Sequence, residues 1–186
     1  MTREYRSIVL VGFMGTGKSS VSRLLAERLG CTRVDLDEAI ERREDCTISE
    51  LFARQGEEAF RTIETDVLAD IMNRDTRQVI ATGGGAVLKE ENRSLMLNNG
   101  WVVALTADAE RIIARVQSDS ARPLLQGDVR QRVNELLERR KHAYDFADLK
   151  LDTSRLGVAD VAERIIDAWQ QLTAAKSAAR EPGGNQ

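Results

Sequence analysis

The sequence contains few side chains of the kinds that build metal centres or redox pairs. Its 186 residues include two cysteines and one histidine. Cys31 and Cys46 have neither the spacing of metal ligands nor that of a redox pair, so we expect only packing or partial exposure for them. His142 lies in a charged helical stretch, where a lone histidine is usually a solvated or core side chain. We therefore assign no chemical role to any of the three.

The sequence also lacks an excess of positive charge and any long apolar run. Its formal net charge of −3 gives no general attraction to nucleic acid or to an acidic membrane. No apolar run approaches the length of a membrane span, and residues 1–6 lack the apolar core of a signal peptide. We expect a cytoplasmic protein that binds neither nucleic acid nor membrane.

The length and composition are those of one globular domain. Of the 186 residues, 42% are hydrophobic and 31% are charged, which is enough to build a sizeable core. We predict a single domain over residues 1–175. Residues 176–186 are small and polar, and we predict that they form a disordered tail.

A glycine-rich stretch near the start has the spacing of a phosphate-binding loop. It follows an apolar run, precedes a helical pattern, and reads Gly12-Phe13-Met14-Gly15-Thr16-Gly17-Lys18-Ser19. Its glycines let backbone N–H groups surround phosphates, and the helix that begins near Lys18 adds the positive end of its dipole. Lys18 is placed to reach the β and γ phosphates, and the Ser19 hydroxyl to ligate Mg²⁺. We expect nucleotide contacts from Gly12, Gly15, Thr16, Gly17, Lys18, Ser19 and Ser20.

Apolar strands and amphipathic helices alternate along the rest of the chain. Strands are predicted at residues 7–11, 32–37, 78–82, 101–105 and 149–152. Helices are predicted from about residues 18, 38, 47, 57 and 90, with Gly56 breaking the one that begins at 47. A further helix carries Ile112, Ile113 and Val116, and the last two run from 128 to about 142 and from 158 to 172. This alternation predicts an α/β fold, a three-layer sandwich in which helices cover both faces of a five-stranded parallel sheet.

Carboxylates and glycines follow two of the predicted strands. Asp35 and Asp37 end the second strand, and Gly83, Gly84 and Gly85 follow the third. Ligands collect at the carboxyl ends of parallel strands, so we expect both groups at the phosphate side of the sheet. Glycines there would let a ligand approach the backbone. Two alternatives stay open, in which Asp37 only caps the next helix and the glycines form a flexible turn.

Residues 117–127 interrupt the alternation of strands and helices. Ser118, Asp119, Ser120, Pro123 and Gly127 give this stretch the composition of a mobile surface loop. We predict a lid that places Arg122 near its centre.

Taken together, the motifs resemble those of the shikimate kinase family over nearly the whole chain. Beyond the phosphate-binding loop they are Asp35-Leu36-Asp37, Gly56 to Glu64, Gly83-Gly84-Gly85, Arg122-Pro123-Leu124-Leu125, Arg139 to Tyr144 and Asp152-Thr153-Ser154-Arg155. A phosphate loop alone occurs in many unrelated activities, but this ordered set is specific. The resemblance implies a nucleoside-monophosphate-kinase-like fold and transfer of phosphate from ATP to the 3-hydroxyl of shikimate.

The resemblance also implies roles for residues at the acceptor side, within a substrate-binding region at about residues 37–64 and beyond it. Arg61 and Arg140 match the arginines that bind the shikimate carboxylate. Asp37 matches the aspartate that holds substrate hydroxyls and orients or deprotonates the attacking one. Gly83, Gly84 and Gly85 match the segment that contacts the ring hydroxyls.

At the nucleotide side the resemblance implies four further roles. Lys18 and the lid residue Arg122 match residues that neutralise charge on the transferred group. Asp35 matches the carboxylate that meets Mg²⁺, through water. Arg155 matches the residue that packs against adenine, where a guanidinium can stack on the base. We expect a monomer whose partners are shikimate, ATP and Mg²⁺.

Two rival functions and one uncertainty of register stay open. A small kinase acting on gluconate or a nucleoside monophosphate would share the ATP site and differ in the acceptor pocket. A regulatory module could keep the fold without catalysis, although Lys18, Asp37 and Arg122 are all present. A GTPase is disfavoured because no Asn-Lys-x-Asp motif follows the fourth strand. Arg140 is chosen over its neighbour Arg139 because it lies four residues before Tyr144.

Overall fold

A five-stranded parallel sheet forms the centre of the molecule, as predicted. The computed structural model describes residues 5–116 and 128–178. The strands are β1 (Ser7–Gly12), β2 (Thr32–Asp35), β3 (Gln78–Ala81), β4 (Gly100–Thr106) and β5 (Leu149–Asp152). β1 is buried at every position, in keeping with its continuous apolar sequence.

The strand order brings the first strand to the middle of the sheet. The order is β2-β3-β1-β4-β5, and every pairing is parallel. Ser7 pairs with Gln78 on one side and with Gly100 on the other. The chain places β2 and β3 on one side of β1 and then crosses to place β4 and β5 on the other. A crevice therefore forms beyond the carboxyl end of β1, next to the phosphate-binding loop.

Helices cover both faces of the sheet. They are α1 (Lys18–Leu29), α2 (Leu36–Glu44), α3 (Ile48–Met72), α4 (Glu90–Asn99), α5 (Ala109–Val116), α6 (Val129–Arg139) and α7 (Val158–Ala178). One core joins the sheet to α1 and α7 around Leu25 and Trp169. The other joins the opposite face to α2 through α6, around Leu68 and Ile112. The three-layer prediction is confirmed.

The second strand is shorter than predicted, and this changes the position of Asp37. β2 ends at Asp35, whose side chain accepts the N–H of Glu38 as the N-cap of α2. Asp37 therefore lies in the first turn of α2, and the alternative that Asp37 is the helix cap is wrong. A short carboxylate side chain at the N-cap satisfies a helix N–H, so the helix starts as soon as Asp35 supplies it.

Gly56 joins two predicted helices into one kinked element. The hydrogen-bonded helix α3 runs through Gly56, whose φ of 79° and ψ of 176° are not helical. The predicted start is confirmed, since Thr47 and Glu50 form a reciprocal capping box. Gly56 thus turns the helix at the point where the sequence indicated a break.

Other boundaries differ at the ends of elements. A 3₁₀ helix at Ala86–Leu88, which was not predicted, follows the three glycines. α6 ends at Arg139 rather than at residue 142, and α7 continues to Ala178, beyond residue 172 and into the predicted tail. Residues 179–186, together with the predicted lid at 117–127 and its Arg122, lie outside the described residues. No helix in the described part of the chain is long and apolar enough to span a membrane.

Candidate active site

The phosphate-binding loop follows β1 and ends in the N-terminus of α1. The Lys18 side chain is buried across the loop, where its Nζ donates to the carbonyls of Gly12 at 2.8 Å and Phe13 at 2.9 Å. The N-cap of α1 is Gly17, with a φ of 97° that favours glycine. Because Gly17 has no side chain, no N-cap side chain accepts a hydrogen bond from the first N–H groups of α1. The loop therefore offers a cation and a helix N-terminus to an anion.

Ser19 and Asp35 supply adjacent oxygen atoms beside this loop. The Ser19 hydroxyl donates to Asp35 Oδ2 at 3.2 Å. Hydroxyl and carboxylate oxygens suit Mg²⁺, which keeps several waters and usually takes one or two protein ligands together with substrate phosphates. No group of three or more His, Cys, Asp or Glu side chains that could hold a metal occurs among residues 5–116 and 128–178. The hydroxyl of Ser19 and the carboxylate of Asp35 thus have the chemistry of ligands for Mg²⁺.

A cavity of about 300 Å³ connects the phosphate loop with the carboxyl ends of β2 and β3. Asp37 is among its lining residues, which confirms that both predicted aspartates lie at the phosphate side. The lining comprises Met14, Gly15, Gly17, Lys18, Ser19, Ser20, Asp35, Asp37, Thr82, Gly83, Gly84 and Arg115.

The three glycines at 83–85, called the glycine segment below, lie where side chains would collide with the site. A Cβ on Gly83 would lie 2.7 Å from Asp37 Oδ1, and one on Gly85 would lie 2.5 Å from a guanidinium nitrogen of Arg61. A Cβ on Gly84 would lie 3.3 Å from the backbone nitrogen of Met14 in the phosphate loop. None of the three has φ in the left-handed region, so space rather than backbone conformation requires glycine. The segment therefore lies between the phosphate loop, Asp37 and Arg61.

Arg61 projects from α3 toward the glycine segment and is fixed by carboxylates of its own helix. Its guanidinium donates to Glu64 at 2.7 Å and to Glu57 at 3.3 Å. It also lies 5.1 Å from the ring centre of Phe60. The amphipathic pattern of the sequence gave Arg61 no special position, since its orientation depends on these neighbours.

Glu64 is a buried carboxyl that the sequence did not single out as a site residue. Its residue is 1% exposed, and burial raises the pKa of its carboxyl, while Arg61 and Arg140 oppose the rise. Asp37 adds to the rise. The charges that act on the Glu64 carboxyl therefore include three of the predicted acceptor-side residues, Asp37, Arg61 and Arg140.

Arg140 approaches the same segment from the other side. Its guanidinium donates to the Gly84 carbonyl at 3.4 Å and lies 5.7 Å from the ring centre of Phe13. The Tyr144 hydroxyl donates to the same carbonyl at 2.9 Å. Arg140 is buried, whereas Arg139 is exposed. The structure thus brings Arg140, and not Arg139, to the glycine segment.

Arg115 is a further cation that the sequence did not identify. From α5 it donates to the Gly15 carbonyl at 2.9 Å and to the Thr153 carbonyl at 3.4 Å, and it lines the cavity. Thr153 Oγ1 donates to the Thr16 carbonyl at 3.2 Å, which ties the end of β5 to the loop. No local motif marks Arg115, because its partners are backbone carbonyls distant in sequence. Arg155 is exposed and does not belong to the described lining of the cavity.

A family model and the curated relatives agree on one family. The family model for shikimate kinase matches residues 14–170. A shikimate kinase of Thermodesulfovibrio yellowstonii is 42% identical over 173 residues, 92% of this chain and 99% of the relative. One of Geobacter metallireducens is 45% identical over 161 residues, 86% of this chain and 89% of the relative. A solved structure of shikimate kinase from Acinetobacter baumannii in complex with shikimate has a TM-score of 0.85 and 37% identity, covering 91% of this chain and 95% of its own.

The buried carboxyl gives a testable pH dependence through Glu64→Gln. Because burial raises the pKa of Glu64 above its ordinary 4.5, the folded protein binds this proton more tightly than the unfolded chain does. The free energy of unfolding of the wild type, relative to Glu64→Gln, should therefore fall as pH rises above about 4.5 through the raised pKa. Urea unfolding of both proteins at several pH values measures this difference.

The matched control is Glu58→Gln, which changes an exposed carboxylate of the same helix. Its difference from the wild type should vary little over the same pH range. If the free energy of unfolding of the wild type instead rises relative to that of Glu64→Gln as pH increases, the prediction is wrong and the arginines outweigh burial.

Proposed function

The chain belongs to the shikimate kinase family, whose activity is the ATP-dependent phosphorylation of shikimate in the shikimate pathway, and we propose how its residues perform this transfer. The observation that supports the proposal most is the arrangement around the glycine segment. There a carboxylate, Asp37, and two guanidinium groups, those of Arg61 and Arg140, surround one stretch of bare backbone beside the phosphate loop. Shikimate carries one carboxylate and three hydroxyls, which require this combination of cations, acceptor and backbone.

The nucleotide binds along the phosphate loop in this proposal. Backbone N–H groups of Gly12, Gly15, Thr16 and Gly17, with Ser19 and Ser20 at the start of α1, surround the phosphates. Lys18 reaches the β and γ phosphates. To do so, it gives up the hydrogen bonds that it donates to the loop carbonyls of Gly12 and Phe13 in the structure. Arg155 stacks on the adenine, as the family resemblance implies.

Ser19 would hold Mg²⁺ directly and Asp35 would hold it through water. When bound, Mg²⁺ draws negative charge from the phosphate oxygens. The support in this structure is the 3.2 Å contact that places the two oxygens together at the edge of the cavity.

Shikimate binds against the glycine segment in this proposal. Arg61 and Arg140 bind its carboxylate with charge-assisted hydrogen bonds. Glu64 orients Arg61 before substrate arrives, which reduces the ordering that binding must impose. Gly83, Gly84 and Gly85 contact the ring hydroxyls, and Asp37 accepts a hydrogen bond from the 3-hydroxyl.

Asp37 orients the 3-hydroxyl and takes its proton during the transfer. The hydroxyl oxygen forms a bond to the γ phosphorus while the bond from that phosphorus to the bridging oxygen of ADP breaks. Lys18 offsets the charge on the transferring group. Arg122 adds a second cation when the lid closes and excludes water, a role that we assign from the family resemblance.

We further propose that the protein acts as a monomer in the cytoplasm. One chain supplies the phosphate loop, Asp37 and both arginines at the glycine segment. The cytoplasm supplies the ATP that the reaction consumes.

Asp37→Asn tests the proposed hydroxyl partner. The amide is nearly isosteric but cannot take the proton, so kcat should fall by about 10²–10⁴-fold while ADP affinity stays close to that of the wild type. Steady-state kinetics with shikimate and calorimetry with ADP measure the two effects. Asp66→Asn, an exposed site on α3, is the control. Near-normal kcat in Asp37→Asn would contradict the assigned role.

Arg140→Ala, compared with Arg139→Ala, tests the carboxylate pocket and its register. A hydrogen bond to a charged group contributes about 1.5–3 kcal/mol, so Arg140→Ala should raise KM for shikimate by about 10–100-fold. KM for ATP should change much less in the same variant. Arg139 is exposed, and Arg139→Ala should leave KM for shikimate unchanged. The reverse pattern would assign the carboxylate to Arg139.

A further inference from the structure

Arg33 makes a set of contacts behind the proposed magnesium site that the transfer mechanism does not use. It lies in β2 two residues before Asp35, so both side chains are on the same face of the strand. Its guanidinium donates to Asp35 Oδ2 at 2.9 Å. This is the same oxygen that accepts the Ser19 hydroxyl. Arg33 and Ser19 thus share one carboxylate oxygen.

The remaining donors of Arg33 reach the two neighbouring helices. Two of its nitrogens donate to the Glu38 carboxylate in α2, at 3.2 and 3.1 Å. Its Nε donates to the hydroxyl of Ser22 in α1 at 3.2 Å, and that hydroxyl donates to the Ser19 carbonyl at 3.0 Å. These contacts hold the guanidinium in a single position between α1, β2 and α2.

Arg33 contacts Asp35 without belonging to the lining of the cavity. Ser19 and Asp35 both belong to that lining. The side chains of Arg33 and Asp35 are 20% and 11% exposed, so water screens their charges only in part. Glu38 is 55% exposed and offsets the charge of Arg33 from the outer side. The charges therefore alternate along the line from Asp35 to Arg33 to Glu38.

We propose that Arg33 is a positioning residue that fixes the Asp35 carboxylate and weakens its attraction for the divalent cation bound with the nucleotide. This inference rests on the proposed function, in which Asp35 faces Mg²⁺. A full positive charge in contact with Asp35 cancels much of the field that the carboxylate exerts on a nearby cation. Releasing Asp35 frees only a short side chain, so the electrostatic effect of removing Arg33 outweighs the loss of orientation.

Binding of Mn²⁺ with ADP tests this inference without any turnover. Free Mn²⁺ is followed by its electron paramagnetic resonance signal as protein and ADP are titrated. Arg33→Met should bind Mn²⁺ with ADP about fivefold more tightly than the wild type, because Asp35 keeps its full charge. Arg33→Lys keeps the positive charge and should stay within about twofold of the wild type.

Glu38→Gln should shift the affinity in the opposite direction. Without Glu38 the charge of Arg33 acts on Asp35 alone, and Mn²⁺ with ADP should bind about twofold more weakly. Glu44→Gln removes the same charge at the other end of α2 and is the matched control, with no change expected. Metal-free ADP, measured in the presence of a chelator, should bind all these variants equally, which a general distortion of the loop would not allow.

Equal or weaker binding of Mn²⁺ with ADP to Arg33→Met would overturn the inference. If that variant does not fold, Glu38→Gln decides, and an affinity equal to or above that of the wild type would overturn it. The proposed function fails separately: if the wild type binds ADP no better with Mn²⁺ than without, the metal site itself is misassigned.

Discussion

The site depends on the close approach of three parts of the chain to the glycine segment at the end of β3. The Asp37 carboxylate occupies the space of a side chain at residue 83, and the Arg61 guanidinium occupies that at residue 85. The carbonyl of Gly84 accepts hydrogen bonds from Arg140 and Tyr144. The Cα atom of the same residue lies against the phosphate loop. The glycine segment therefore places the phosphate loop and the side chains of Asp37, Arg61 and Arg140 relative to one another.

Burial of charge gives this arrangement its rigidity at an electrostatic cost. Glu64 is almost fully buried beside Arg61, and the field of Arg140 reaches it as well. Removing a carboxylate from water is unfavourable unless cations and hydrogen bonds compensate for it. In the proposed mechanism the benefit is that Arg61 is oriented before substrate binds, so the carboxylate of shikimate would meet a preorganised cation.

The parts of the site that the sequence predicted are those encoded by local pattern. The phosphate loop needs glycines at fixed spacing between a strand and a helix, and Asp35, Asp37 and the glycine segment follow strands whose carboxyl ends meet at one edge. Only the family resemblance indicated a role for Arg61 and Arg140. The burial of Glu64, the contacts of Arg115 and the shared oxygen between Arg33 and Ser19 depend on partners in other elements, which no periodicity reveals. The second strand was predicted to end at Asp37, two residues too late, because Asp35 caps α2 as soon as β2 ends.

The most direct test of the account is ADP release by the purified protein with ATP and Mg²⁺, supplied separately with shikimate, gluconate and a panel of nucleoside monophosphates. The arrangement of Asp37, Arg61 and Arg140 around the glycine segment predicts turnover with shikimate and none above background with the other acceptors. Turnover with a different acceptor in preference to shikimate would leave the phosphate loop and the fold intact. It would contradict the assignment of the acceptor pocket.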